Sequence, residues 1–191
     1  MLLFAPPSDA QLDHFLTRAG ESRFTYSEVG ATSGVTPPLY TTDHNRILLG
    51  KGEALFHHAA SAVRDCKMFD LGWVKLYPAT PAIREGENVA VVARWFNLYF
   101  VNACRIVDTI HEHVPMQRFG FVYATLEDHA ESGEERFTVE WHRQTNEVWY
   151  DLLAFSRPNQ FLARIGYPLA RRLQRRFAAD SKAAMARAVN G

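Results

Sequence analysis

The side chains best suited to chemistry lie in the second half of the chain. His111 and His113 flank Glu112. In a β-strand that alternation puts both imidazoles on one face, where they can chelate a divalent cation, with His129, Glu140 or His142 completing the site. Pro115 marks the end of that strand, so the same spacing also describes solvated histidines in a rim turn, and no metal is expected. Gly50-Lys51-Gly52 separates a short apolar run from a helical pattern, which is the setting of a dinucleotide-binding loop. Leu55, however, occupies the third glycine position, and the helical pattern runs on to Phe69, leaving no second strand to carry a ribose-binding acid. The glycines therefore read as tight turns opening a helix. With no GxxxxGK[ST] segment either, no nucleotide cofactor is expected.

For acid-base work, the polar residues most able to intrude on an apolar interior are Arg105, Asp108, Tyr123, Tyr150 and Asp151. A buried charge must be paired, and pairing alone accounts for them. Arg105 and Asp108 fall on opposite faces of an ideal strand. Ser156 lacks a GxSxG elbow, and neither Cys66 nor Cys104 has a sequence-local partner that marks a nucleophile. Catalytic residues thus stay unassigned. The acidic run Glu127, Asp128, Glu131, Glu134 and Glu135 lacks the ligand spacing and glycine of a calcium loop and reads as a solvated hairpin tip.

The elements that must position these groups follow from periodicity. Ser8 and Asp9 cap a short helix with Leu12, Phe15, Leu16 and Ala19 on one face and Gly20 at its end. Arg23 to Val29 reads as a short strand, the glycines and prolines from Gly30 to Pro38 as a loop, and Arg46 to Leu49 as a second short strand. Leu55, Phe56, Ala59, Ala60, Val63 and Cys66 give a helix from Glu53 to Phe69. Six β-rich segments follow at 73–77, 89–96, 98–112, 117–126, 135–144 and 147–155, with a tight turn at Asn146. After Pro158 the helical period returns from 159 to 189 through Phe161, Leu162, Ile165, Leu169, Leu173, Phe177, Ala184 and Ala188, divided at Gly166-Tyr167-Pro168, with Phe161, Leu162, Leu169, Leu173 and Phe177 as its main apolar stripe. Strands in series flanked by helices predict an α+β fold: a curved antiparallel sheet of about six or seven strands wrapped around a long C-terminal helix. Residues 1–191 are expected to form one domain, with 1–45 an N-terminal helix and irregular extension packed on it.

Several motifs resemble a known family. Gly120-Phe121-Val122-Tyr123-Ala124-Thr125-Leu126, His129 to Phe137 and Ala154-Phe155-Ser156-Arg157-Pro158 are similar to an uncharacterised domain-of-unknown-function family of bacteria and plants. Tyr26 to Ala31, Gly50 to Ala59 and the run from Leu162 to Phe177 extend the resemblance over nearly the whole chain. Ala124 departs from the pattern, where glycine is expected. That family is grouped with the START-type, pollen-allergen-like helix-grip superfamily (SRPBCC), whose members enclose lipids, steroids or polyketides and include cyclases and hydratases. The resemblance implies a helix-grip fold and carries over no catalytic residue.

Composition sets the remaining bounds. The chain has 191 residues, 47% hydrophobic, with 21 basic and 21 acidic side chains, so no net field draws it to nucleic acid or to an acidic membrane. From Asn159 onward seven basic residues face Asp180 alone, making a basic element on an acidic body. Arg171, Arg172, Arg175 and Arg176 are expected to meet acidic groups or water. The opening Met1 to Pro7 has no charged leader, and two cysteines outside any CxxC spacing suit a reducing cytoplasm. The aromatic density of the central strands predicts a pocket for a small apolar or amphipathic molecule between sheet and terminal helix, lined by Phe119, Phe121, Tyr123, Tyr150, Leu152 and Phe155. An enzyme acting on such a molecule in the same cavity is the alternative, and a purely structural interaction module is a third. A core filled by the same rings gives an identical sequence signal.

Overall fold

In the computed structural model, residues 1–159 and 167–190 are described. Helix α1 (Asp9–Ala19) opens with a capping box: Gln11 N donates to Ser8 Oγ at 3.3 Å, and Ser8 N to Gln11 Oε1 at 2.9 Å. Its Leu12, Phe15 and Ala19 pack on Ala90, Val101, Ala103 and Leu126. Preceding it, β1 (Leu2–Leu3) lies along Tyr99 and Phe100. The main sheet comprises β2 (Thr41–Lys51), β3 (Val74–Tyr77), β4 (Asn88–Trp95), β5 (Leu98–Glu112), β6 (Gln117–Thr125), β7 (Glu131–His142) and β8 (Glu147–Pro158). These seven strands run in the order β2-β8-β7-β6-β5-β4-β3, all neighbours antiparallel, and curl into a half-barrel. On the inner face lie α2 (Glu53–Arg64) and the C-terminal helix α3 (Tyr167–Asn190), and the main core forms between them and the sheet.

The fold is α+β as expected, with several corrections. Residues Arg23 to Val29 do not form a strand. Only Phe24 bridges to Leu126, because the segment then bends around the buried carboxylate of Glu134, which accepts from Tyr26 Oη, Gly30 N, Thr32 N and Thr32 Oγ1 at 2.5 to 2.9 Å. Strand β2 extends far beyond Arg46–Leu49, since its polar first half pairs its backbone with β8 from Thr41 opposite Ser156 onward. Helix α2 stops at Arg64 rather than Phe69: Cys66 takes a positive φ of 52°, and a 3-10 turn over Lys67–Phe69 drives Met68 and Phe69 into the core. A bulge after Ile106 sets Arg105 opposite Ala124 and Asp108 opposite Val122, so both point outward. Gly52 opens α2 at a φ of 102°, as the loop reading required.

The C-terminal helix is seated further along than the sequence implied. Phe161, Leu162, Ile165 and Gly166 lie outside the described residues. Leu169 is exposed and Leu173 and Phe177 are half-buried, whereas Ala178, Ser181, Ala184, Met185 and Val189 are buried. The arginines behave as their spacing implied: Arg171 pairs with Asp43, Arg176 with Asp180, and Arg172 and Arg175 face solvent. Met185→Ala is expected to cost about 2 to 5 kcal/mol through the cavity it leaves, and Leu169→Ala less than about 0.5 kcal/mol. Urea unfolding of the two variants checks this, and equal losses would return the seat of the helix to its first turns.

Candidate functional site

Five of the six expected lining residues share the inner face. Phe119, Phe121 and Tyr123 project from β6, and Tyr150 and Leu152 from β8, into one core with Phe69 and Phe137. Phe155 does not join them. Three residues beyond Leu152 the strand period turns it to the outer face, where it meets Tyr26 and Tyr40 edge-on, ring centres 5.6 and 5.2 Å away. On the inner face Phe69 lies 5.2 Å from Phe137 and 5.5 Å from Phe177, and Phe121 lies 5.3 Å from Phe137. Tyr150 exchanges a 2.8 Å hydrogen bond with Ser181 of α3. Two open clefts, of about 410 and 370 Å³, lie elsewhere, beside Asp13 and Tyr77 and between α2 and α3, and none of the six lines either.

A polar cluster is set into this aromatic wall. Tyr123 Oη donates to Glu135 Oε2 at 2.6 Å. Burial pushes the Glu135 carboxyl up to about 7 against the opposing pull of that bond, and Glu131 and Asp43 add to the rise. Burial foremost, then the Glu135 charge, holds the Tyr123 phenol well above its ordinary range. Glu131 is likewise raised by burial, offset by the Gln174 amide and the Ser156 hydroxyl. Gln174 reaches Glu131 and, at 3.1 Å, Ser156. Arg171 holds Asp43 through two bonds of 2.5 and 2.7 Å and also donates to Gln174 Oε1. Glu135 remains half-accessible. A carboxyl near neutrality beside a phenol can accept, donate or relay a proton.

The solvated tip is confined to Glu127 and Asp128, which are exposed in the β6–β7 turn, whereas Glu131, Glu134 and Glu135 belong to the strand. Strand β7 begins at Glu131, not at residue 135, and sends Glu135 inward and Glu134 outward. The missed signal was alternation: Glu131, Gly133 and Glu135 continue the parity of Phe137, Val139 and Trp141. Glycine is required within it, because a Cβ at Gly133 would stand 1.9 Å from the carbonyl oxygen of Phe155.

The other polar candidates sit on the outer face. Asp151 binds Arg46 at 3.0 Å, Arg136 at 3.2 Å and His44 at 2.6 Å. Arg105 donates to Asn88 and to the carbonyls of Ala19 and Gly20, closing the end of α1, while Asp108 accepts from Ser33 Oγ at 3.3 Å. The histidines do not converge. His111 packs on Phe119, Glu112 pairs with Arg118, and His142 Nε2 lies 3.6 Å from Glu140. Among the described residues no three His, Cys, Asp or Glu side chains are grouped to hold a metal ion.

A carboxyl whose native value exceeds its unfolded value binds its proton more tightly in the fold. The Glu135 contribution is thus fully present below about 4.5 and is lost as pH rises to about 7. His129, lowered by burial from 6.5 to about 4, acts in the opposite sense and loses its contribution as pH falls through that interval. Comparison with Glu135→Gln separates the two: wild-type stability relative to the variant is expected to decline from pH 4.5 to 7 and then level off. Urea unfolding across that range reads the difference, and a flat profile would contradict the assignment.

Residues 25–184 match the family model described as domain of unknown function DUF1990. A UPF0548 protein of Dictyostelium discoideum is 33% identical, over 99% of this chain and 96% of that one. One from Deinococcus radiodurans is 35% identical over 92% of each chain, and one from Arabidopsis thaliana 26% identical over 99% of this chain and 98% of its own. With identity sustained over nearly the full length of each relative, the chain belongs to the DUF1990/UPF0548 family.

Proposed function

We propose that this chain is a helix-grip protein of the START-type superfamily that holds a small apolar or amphipathic molecule between the inner face of the sheet and α3, with Tyr123 and Glu135 reading its polar end. Support for the fold comes from the sheet path, in which the strand preceding α2 lies beside the last strand and the terminal helix crosses the inner face. The observation that carries the function is the phenol–carboxyl pair set in an aromatic wall and left half-accessible at Glu135. A buried polar pair gains from a partner, and apolar burial supplies the affinity. Because rings crowd the middle of the inner face, the occupant belongs at the end where Glu131, Glu135, Ala154 and Gln174 are half-accessible. In this reading residues 1–191 are one cytoplasmic domain that works without a metal, cofactor or nucleic acid. Among the described residues no helix is long and apolar enough to cross a membrane.

A second reading, an enzyme of cyclase, hydratase or hydrolase type in the same place, draws on the value of about 7 at Glu135, which keeps both acid and base forms present at neutral pH. Native mass spectrometry of gently purified protein, together with titration of 1-anilinonaphthalene-8-sulfonate, tests the binding. We expect a retained small molecule or saturable probe binding, weakened several-fold by Tyr123→Phe. Absence of both in the wild type would overturn it. Chemical change of the retained molecule, lost in Glu135→Gln, would favour the enzyme.

A further inference from the structure

Helix α3 is held in two different ways along its length. From Tyr167 to Phe177, about 16 Å of helix by the usual rise, no residue is buried. This half is tied to the sheet by polar contacts: Tyr167 to Thr41 at 2.9 Å, Arg171 to Asp43, and Gln174 to Glu131 and Ser156. From Ala178 on, the helix is seated in the core through Ala178, Ser181, Ala184, Met185 and Val189, and Ser181 bonds the buried Tyr150. Asp180 adds a 2.8 Å bond from Trp73 Nε1. Phe177, against Phe69 and Phe137, stands at the junction.

The polar half covers Glu131, whose charge bears on Glu135. Among these ties the two-bond Arg171–Asp43 pair is the strongest, but all of them can break and re-form without exposing core, whereas lifting the seated half would expose it. We propose that Tyr167–Phe177 is a lid, latched by Arg171–Asp43 and Gln174–Glu131, which opens about the Phe177–Ala178 junction to admit the molecule bound at Tyr123 and Glu135, while Ala178–Asn190 stays seated. The purpose of the opening rests on the binding role proposed above; the opening itself does not.

Hydrogen exchange on the full chain, read by mass spectrometry, tests the lid. The first turn of any helix lacks internal acceptors for its amides, so the comparison is between the amides of 171–177 and those of 178–186. We expect the first group to exchange at least about tenfold faster, as sub-global opening allows. Arg171→Gln should speed it several-fold further without moving the second group. Equal exchange of the two groups in the wild type, or equal acceleration of both by Arg171→Gln, would overturn the lid. If that variant fails to fold, the wild-type difference still decides. Probe titration of the same samples separates the two proposals: opening without saturable probe binding keeps the lid and removes the ligand, and binding with uniform exchange does the reverse.

Discussion

Strand β7 carries carboxyl groups on both faces of one sheet, Glu134 and Glu140 buried on the outer and Glu135 half-buried on the inner, and the layers around it answer to that demand. Removing a carboxylate from water costs several kcal/mol unless donors or cations replace the lost hydration. On the outer face the replacement is generous. Glu134 takes four donors from the segment at Tyr26 to Thr32, and Glu140 meets Arg46 at 2.6 Å and Arg118 at 3.0 Å. Those requirements explain why the residues before β2 wrap the sheet irregularly instead of adding a strand to it. Arg136, which donates to the Thr32 carbonyl while pairing with Asp151, fastens that wrap to β8.

The inner face meets the same demand differently. Glu135 has a phenol for a partner, and burial is answered by holding the carboxyl near its neutral form. The outer carboxylates are built into a structural network, Glu134 by four neutral donors and Glu140 and Asp151 by arginines. Glu135, by contrast, is held by a neutral phenol beside the aromatic wall, with Glu131 and the polar half of α3 next to it.

Much of the architecture was legible in the sequence. Capping residues, helical periodicity in α2 and the alternation of β4 through β8 are local signals, and local signals give elements. What escaped depended on distant partners. The polar half of β2 carries no apolar alternation and is a strand only because β8 lies beside it. Arg23 to Val29 has strand-like composition but is bent by donors that seek Glu134. Phe119, Phe121, Tyr123, Tyr150 and Leu152 face inward into the core, as their alternation implies, while strand parity places Phe155 outside. Tyr123 is legible as an inward polar group, whereas its partner Glu135 reads as the edge of a solvated acidic tip, because a cluster of acids looks solvated until the strand is seen to begin four residues earlier.

Burial beside Tyr123 keeps the Glu135 carboxyl near neutrality on the inner face, and the rest of the site depends on it. Its titration can be followed directly by the carboxyl carbon resonance of glutamate-labelled protein, assigned by comparison with Glu135→Gln. A midpoint near 7 is predicted, and a midpoint at the ordinary 4.5 would show a solvated side chain and contradict the site.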